Sequence, residues 1–341
     1  MLPLPAALCP LPTPLLITGI AGVAGYNALH YFRQCYPGQV IGIRQRDNWR
    51  LVGPEIVACN AEDRDGLARL FDKHCFRSVL DCAGNCALRA CELDTELAWR
   101  INVEGVQNLL DVIAGRDARL VHLSIDLVFS GRGNGNHLET NPTDPVTVYG
   151  NTMVAGERLV AERAPEAATL RISLPMGISF NGHAGAIDWI QSRFKKHRPA
   201  TLYYDEIRTP TYTDCLNELC EVVLCRRDLS GLFHAGGPRR LSLYQIAQIV
   251  NRVGGYDPRH LMGCARAAAG PIPPRAGDVS MDSSKLAGAL GYQPFHAWPY
   301  DDALAPTHPR WHFDRAAGEH GSVEYLTEVL YRNPLRRRAT A

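Results

Sequence analysis

Short hydrophobic runs alternate with longer amphipathic segments over the first 130 residues of the chain. Each run has the length of a strand, and most intervals between runs have room for a helix. The five predicted strands are Leu15–Thr18, Val40–Ile43, Ile56–Cys59, Ser78–Cys82 and Leu120–Leu123. Alternating strands and helices are typical of a parallel sheet with helices on both faces, so the pattern predicts a doubly wound α/β fold.

The alternation becomes weaker in the second half of the chain. The elements expected there are a helix from Tyr149 to about Ala164, a strand over Ala168–Leu174, and helices over Leu216–Cys225 and Ser242–Val253. We therefore predict a sheet-bearing domain over residues 1–175 and a smaller α/β lobe over residues 176–341. We expect the lobe to bind the substrate, and the chain to cross back to the first domain.

Charge and composition narrow the class of protein. The chain has 341 residues, of which 46% are hydrophobic, and its 36 Lys and Arg balance 35 Asp and Glu. Without an overall positive field, neither a nucleic acid nor an anionic membrane surface is an expected partner. The three consecutive arginines at 336–338 are therefore expected to be a solvated chain end rather than a nucleic-acid patch.

The eleven cysteines are scattered, odd in number and without CxxC pairs or zinc-ligand spacing. We expect reduced, buried thiols, including the group Cys82, Cys86 and Cys91, and we expect no metal site. No stretch approaches the roughly 20 apolar residues that span a bilayer. A soluble, cytoplasmic protein is therefore expected.

A glycine array follows the first predicted strand and opens a predicted helix. It runs from Thr18 to Gly25, with glycine at 19, 22 and 25. Glycine permits a tight turn and lets backbone N–H groups approach a pyrophosphate, whose charge the helix N-terminus favours. The position of the array predicts a dinucleotide site of the Rossmann type. The predicted contacts are Gly19, Ile20, Ala21, Gly22, Val23 and Gly25.

Two arginines, Arg44 and Arg46, stand at the end of the second predicted strand. Proteins that prefer NAD commonly carry a carboxylate there for the ribose hydroxyls, whereas arginine suits the 2′-phosphate of NADP. The sequence therefore favours NADP(H), with NAD(H) as the alternative if these side chains are only exposed loop charges.

Ordered motifs along nearly the whole chain resemble the extended short-chain dehydrogenases/reductases, specifically the dTDP-4-dehydrorhamnose reductase group. Besides the glycine array, the motifs are Asp81-Cys82-Ala83-Gly84, Ile101-Asn102-Val103-Glu104-Gly105, Leu123-Ser124-Ile125-Asp126-Leu127-Val128-Phe129, Val148-Tyr149-Gly150, Arg208-Thr209-Pro210-Thr211-Tyr212 and the segment 278–286. The resemblance implies a nicotinamide cofactor and a nucleotide-activated sugar as substrate. The further cofactor contacts that we predict are Asn60, Ala61, Ala83, Gly84, Asn102 and Leu174, and the predicted substrate contacts are Asn181, His183, Trp189 and Arg208.

The resemblance also implies a catalytic tyrosine, which is Tyr149 here. The family's lysine four residues later, which lowers the tyrosine pKa and holds the nicotinamide ribose, is replaced by Met153. The family's Ser/Thr aligns with Ile125, and Ser124 stands one residue away. A neutral Tyr149 can still donate a proton during reduction, whereas oxidation needs the phenolate. Reduction is therefore favoured over sugar oxidation.

Other groups could replace the missing ones or change the reaction. Asp126, His122 and His183 are the candidate proton donors, although His122 stands in a strand and suits a structural role. In the lobe, Trp189 suits either base stacking or helix core. The hydrophobic face that contains Val106 and Leu109 fits either a homodimer interface or core.

Three functions follow from this reading of the sequence. The first is an NADP-preferring reductase of a nucleotide-activated 4-keto sugar, with Tyr149 as proton donor. The second is a non-catalytic NAD(P)-binding regulatory subunit, similar to that of methionine adenosyltransferase. The third is an epimerase or dehydratase that retains its cofactor.

Overall fold

The fold was analysed in a computed structural model, which describes residues 10–182, 184–315 and 320–335. Its first six strands are β1 (Leu15–Ile17), β2 (Val40–Arg44), β3 (Ile56–Ala58), β4 (Ser78–Asp81), β5 (Arg119–Ile125) and β6 (Ala168–Ile172). Further strands are β7 (Pro175–Met176), β8 (Ala200–Tyr203), β9 (Ile207–Arg208), β10 (Thr211–Tyr212), β11 (Gly231–Ala235), β12 (Leu241–Ser242) and β13 (Leu261–Cys264).

Helices surround these strands. They are α1 (Val23–Cys35), α2 (Arg64–His74), α3 (Leu88–Leu93), α4 (Thr95–Trp99), α5 (Gly105–Ile113), α6 (Val148–Arg163), α7 (Ala186–Lys195), α8 (Thr213–Cys225), α9 (Leu243–Val253), α10 (Ser284–Leu290) and α11 (Val323–Leu330). A π-helical turn, Arg100–Glu104, precedes α5. None of the helices in the described ranges is long and apolar enough to cross a bilayer.

A seven-stranded parallel sheet in the order β11-β6-β5-β4-β1-β2-β3 forms the centre of the molecule. The order reverses beside β1, which is where doubly wound sheets bind ligands at the carboxyl ends of their strands. The predicted doubly wound α/β fold is therefore confirmed. The seventh strand, β11, comes from beyond residue 175, and α8 packs against α1. The chain thus returns to the central sheet after residue 175.

Two hydrophobic clusters cover the two faces of the sheet. The larger includes Leu15, Ile17 and Val121 with the inner faces of α1, α8 and α9. The other includes Leu16, Val79 and the α5 residues Val106, Leu109 and Leu110, so this face of α5 belongs to the core. Burial is wrong as a prediction for three of the described thiols, because Cys35, Cys75 and Cys86 are exposed.

Two buried histidines make the fold sensitive to acid. Burial lowers the pKa of His234 and of His312 to about 4. Both side chains are fully buried, and the Nδ1 atom of His312 lies 3.1 Å from the Gln248 amide nitrogen. In the unfolded chain the two histidines bind protons at about pH 6.5. Their contribution to the free energy of unfolding is therefore fully present above that pH and is lost as the pH falls toward 4.

We expect each buried histidine to remove about 2 kcal/mol from the free energy of unfolding between pH 7 and pH 5. Urea unfolding at the two pH values measures the difference. The His312→Gln variant cannot take up this proton and should lose correspondingly less on acidification. Equal losses in the variant and the natural protein would contradict the assignment.

Candidate active site

The glycine array forms a tight turn between β1 and α1. Gly19 has a φ of +62°, and a Cβ there would lie 2.2 Å from the Cys82 carbonyl oxygen. A Cβ on Gly25 would lie 2.5 Å from the Gly19 carbonyl oxygen. These two glycines are therefore required by the packing of the turn itself. Gly22 differs, because a Cβ there would meet only the Gly19 oxygen, at 3.5 Å.

The space beside Gly22 lies at the N-terminus of α1. Gly22 is the N-cap residue, it provides no side-chain cap, and the first turn of the helix contains no acidic residue. The first N–H groups of α1 are consequently left for an external acceptor, which is the arrangement that binds phosphate. Ile20 and Val23 are buried, so any contact they make with the cofactor is through the backbone. Ala21 is half-buried beside them.

A buried polar network supports the turn from below. The Thr18 hydroxyl donates to an Asp81 carboxylate oxygen at 2.5 Å and accepts the Ala83 N–H at 3.0 Å. His122 Nδ1 lies 2.8 Å from the other Asp81 oxygen. The network ties the ends of β1 and β4 to the middle of β5 and fixes the backbone of Ala83. Sequence reasoning missed Thr18 and Asp81 as supports, although both lie within the quoted motifs.

The two arginines after β2 have different surroundings. Arg44 is half-buried and donates to the backbone carbonyls of Leu51, Gln45 and Arg46 at 2.6 to 3.1 Å, so it holds the following loop. Arg46 is 61% exposed and pairs with Asp63, which caps α2. The Arg46 guanidinium therefore has N–H groups exposed to solvent, whereas the Arg44 guanidinium is largely occupied by backbone carbonyls.

The predicted residues at the adenosine end lie close to Arg46. The Asn60 side-chain oxygen accepts the Arg46 N–H at 2.8 Å. Ala61 packs against α5, because a Cβ on Gly105 would lie 2.7 Å from the Ala61 Cβ. The structure thus brings the ends of β2 and β3 together beside the glycine turn. Carboxylates lie there as well, since Asp63 pairs with Arg46 and Glu62 accepts from the Asn60 amide at 3.5 Å.

Met153 lies beside Gly84 and Asn102. Its sulfur is 4.0 Å from the position of a Cβ on Gly84, and the Asn102 Oδ1 atom is 3.6 Å from the same position. Asn102 stands in the π-helical turn, accepts the Asn85 N–H at 2.6 Å and donates to the Thr152 hydroxyl at 2.8 Å. Single π turns of this kind are frequent at functional sites. An apolar side chain therefore lies against Gly84 one helical turn after Tyr149.

Tyr149 is buried one helical turn before Met153, in an apolar cluster with Cys91, Leu127 and Phe129. Its hydroxyl makes no hydrogen bond within the described part of the chain. Burial raises the pKa of Tyr149 above its ordinary value, and the nearby Cys86 and Asp126 raise it further. The phenol therefore keeps its proton at neutral pH.

Asp126 and Arg208 form a buried ion pair near Tyr149. The Arg208 guanidinium donates through two nitrogens to the two Asp126 carboxylate oxygens, one of them at 2.6 Å. Ser173 donates to the same carboxylate at 2.6 Å. Burial raises the pKa of Asp126, and the guanidinium opposes that rise. In the structure Asp126 accepts from Arg208 and Ser173, and two of the three Arg208 guanidinium nitrogens face Asp126.

The Ser124 hydroxyl is already engaged within the described structure. It donates to Glu157 at 2.5 Å, and Glu157 forms a two-nitrogen ion pair with Arg171 at 2.7 and 2.8 Å. All three side chains are buried between β5, β6 and α6. The Ser124 hydroxyl is therefore occupied by Glu157, and the neighbouring Ile125 packs against both the larger cluster and the cluster that contains Tyr149.

Three of the predicted contacts follow β6 in the chain: Leu174, predicted for the cofactor, and Asn181 and Trp189, predicted for the substrate. Leu174 is half-buried against the core and accepts the Thr211 N–H through its carbonyl at 3.0 Å. Asn181 and Trp189 are exposed, whereas the neighbouring Ile187 and Ile190 are buried. Trp189 is therefore separate from the core stripe of α7. His183 lies outside the described residues.

A polar cleft of about 510 Å³ opens beside β9. Two arginines line it, Arg240 paired with Asp278 and Arg266 paired with Asp205. No group of three metal-ligating side chains occurs in the described ranges. Sequence reasoning missed both arginines, because neither lies within a quoted motif. Asp278, the partner of Arg240, lies within the quoted segment 278–286.

Known proteins are similar to this chain over most of its length. The dTDP-4-keto-6-deoxy-D-glucose reductase of Streptomyces niveus is 27% identical over 276 residues, which cover 80% of this chain and 90% of that protein. Methionine adenosyltransferase 2 subunit beta of Danio rerio is 24% identical over 287 residues, which cover 80% of this chain and 83% of that protein.

Among solved structures, the dTDP-4-dehydrorhamnose reductase of Bacillus anthracis in complex with NADP has the same fold. It matches with a TM-score of 0.67 at 18% identity and covers 83% of this chain and 95% of that chain. Residues 13–304 match the family described as the RmlD substrate binding domain. The chain therefore belongs to the RmlD substrate-binding-domain family.

Proposed function

We propose that this chain is an NADP-preferring reductase of the 4-keto group of a nucleotide-activated sugar, with Tyr149 as the proton donor. The observation that carries the proposal is the Tyr149 hydroxyl, which keeps its proton and has no hydrogen-bond partner within the described residues. The family membership and the reductase of Streptomyces niveus support the class of substrate.

The residues at the glycine turn suit a dinucleotide. The uncapped N-terminus of α1 and the open space at Gly22 would hold the pyrophosphate, and Ala83 and Gly84 would line the neighbouring cleft. NADPH held there would supply the hydride for reduction of the sugar carbonyl. Tyr149 then supplies a proton to the carbonyl oxygen as negative charge develops on it.

The substrate would lie between Tyr149 and the polar cleft beside β9. Arg240 and Arg266 offer positive charge for the diphosphate, although each also has a carboxylate partner. The third nitrogen of the Arg208 guanidinium, Nη1, is not used by Asp126. Arg208 would therefore contribute a fixed positive charge near Tyr149 rather than a complete two-nitrogen clamp.

Arg46 should determine the preference for NADPH. We expect Arg46→Ala to weaken NADPH binding about tenfold and NADH binding far less, because one charge-assisted contact to the 2′-phosphate is lost. Arg44→Ala should weaken both cofactors together, because it loosens the loop that Arg44 holds. Fluorescence titration with each cofactor measures the dissociation constants. Equal losses of both cofactors in Arg46→Ala would overturn the 2′-phosphate assignment.

The proposed function is tested by single-turnover hydride transfer from NADPH to dTDP-4-keto-6-deoxysugars, with the protein in excess over substrate. Oxidation of NADPH that depends on the keto sugar would support the reductase. Tight NADPH binding without transfer to any such sugar would reject it.

A regulatory NAD(P)-binding subunit is the second candidate. Met153 in place of lysine, Ile125 in place of Ser/Thr and the engagement of Ser124 by Glu157 favour it. The methionine adenosyltransferase 2 subunit beta of Danio rerio is a relative of similar coverage. A third candidate, an epimerase or dehydratase, predicts cofactor that remains bound through purification, which a reductase exchanging NADPH at each turnover would not show.

A further inference from the structure

The β7–α7 segment, residues 177–182 with 184 and 185, runs along the first turns of α1. The Asn27 side-chain nitrogen on α1 donates to the Ile178 carbonyl at 2.7 Å and to the Val23 carbonyl at 2.8 Å. At the other end of the segment, a Cβ on Gly185 would lie 3.5 Å from Val23 Cγ2. Both ends of the segment therefore lie against the helix whose N-terminus is the proposed pyrophosphate site.

A single buried carboxylate, that of Asp188 on α7, holds the β7–α7 segment in its turn. One of its oxygens accepts the Ser179 hydroxyl at 2.5 Å and the Gly185 N–H at 3.3 Å. The Ala184 N–H in turn donates to the Ser179 oxygen at 3.4 Å. The start and the end of the turn are thus tied to the same oxygen atom.

The other Asp188 oxygen is held from the C-terminal part of the chain. The Tyr331 hydroxyl donates to it at 2.5 Å, and both side chains are at least nine-tenths buried. Burying a carboxylate is costly unless both oxygens have donors, so the two contacts depend on each other. Tyr331 is itself fixed by its neighbours, since the Leu330 carbonyl accepts the Trp298 indole N–H at 2.9 Å.

We infer that Tyr331 is a positioning residue for the cofactor site. Through Asp188 it holds the β7–α7 segment against the N-terminal turn of α1, although it stands 143 positions from Asp188 in the chain. Removing the hydroxyl leaves one buried carboxylate oxygen without a donor and releases the turn that borders the pyrophosphate site. The inference rests on the proposed function only in naming NADPH as the molecule that this turn helps to bind.

The Tyr331→Phe variant tests the inference, because it removes one oxygen atom and keeps the ring. We expect its dissociation constant for NADPH to rise roughly tenfold, while kcat at saturating NADPH stays within about twofold of the natural protein. Asp188→Asn should weaken binding in the same direction. The matched control is Tyr300→Phe, since the Tyr300 ring is exposed and its hydroxyl makes no hydrogen bond within the described ranges. An unchanged NADPH affinity in Tyr331→Phe would overturn the inference.

Hydrogen exchange without cofactor provides a second readout that does not need the proposed function. Amide exchange over the β7–α7 segment should be faster in Tyr331→Phe than in Tyr300→Phe, with β11 unchanged as an internal reference. Equal exchange in the two variants, or faster exchange over β11 as well, would overturn the positioning role. If the natural protein binds no NADPH, the proposed function fails, whereas the exchange comparison still decides whether Tyr331 holds the segment.

Discussion

Replacing Tyr149 with phenylalanine will lower single-turnover hydride transfer from NADPH to a 4-keto sugar by roughly 10²- to 10⁴-fold. This is the range that a positioned proton donor contributes. The phenyl ring keeps the contacts of Tyr149 with Leu127 and Phe129, so the fold and the affinity for NADPH should be retained. The decay of NADPH absorbance in a stopped-flow instrument measures the transfer.

The alkaline limb of the pH profile gives an independent check on Tyr149. Because burial raises the pKa of this phenol, the protonated form, which can donate a proton, persists well above neutral pH. Reduction by the natural protein should therefore not decline between pH 7 and 9. Transfer that survives in a folded Tyr149→Phe variant would assign the proton to another donor.

Replacing Met153 with lysine should raise turnover, and it should raise sugar oxidation more than reduction. A cation four residues after Tyr149 on the same helix lowers the pKa of the phenol by roughly one to three units, so a larger fraction of it is phenolate at any given pH. The new ammonium would meet the Asn102 Oδ1 atom beside Gly84. Initial rates in both directions between pH 6 and 10 would measure the effect.

Met153→Leu is the matched control, because it changes the shape of the side chain but adds no charge. Its pH profile should equal that of the natural protein. Thermal unfolding shows whether the buried lysine is tolerated, since Met153 lies in an apolar cluster. A folded Met153→Lys variant with an unchanged or lower rate would mean that the methionine belongs to a different mechanism.

Much of the fold followed from the spacing of hydrophobic runs. Each of the five predicted early strands overlaps an observed one, and the predicted helix from Tyr149 to Ala164 corresponds to α6. These elements are long or strongly patterned, and their order alone determines a parallel sheet. The same reasoning placed the glycine turn correctly between β1 and α1, because its conformation depends on local residues.

The orientation of side chains in the site could not be predicted in the same way. β5 is buried on both faces, so no alternation of polar and apolar residues marks which side Ser124 faces. Its contact with Glu157, like the pairing of Asp126 with Arg208, joins positions far apart in the chain. Such contacts depend on how the strands and helices assemble rather than on local spacing.

The return of the chain to the sheet at β11 has a consequence for how the protein can be divided. A fragment that ends near residue 175 would lack β11, and β6 would become an edge strand with unpaired backbone groups over Ala168–Ile172. Exposed apolar edges of this kind promote aggregation. The cofactor-binding half should therefore resist expression as an autonomous unit, and exchange of substrate lobes between relatives would have to retain α8 and β11 with the recipient sheet.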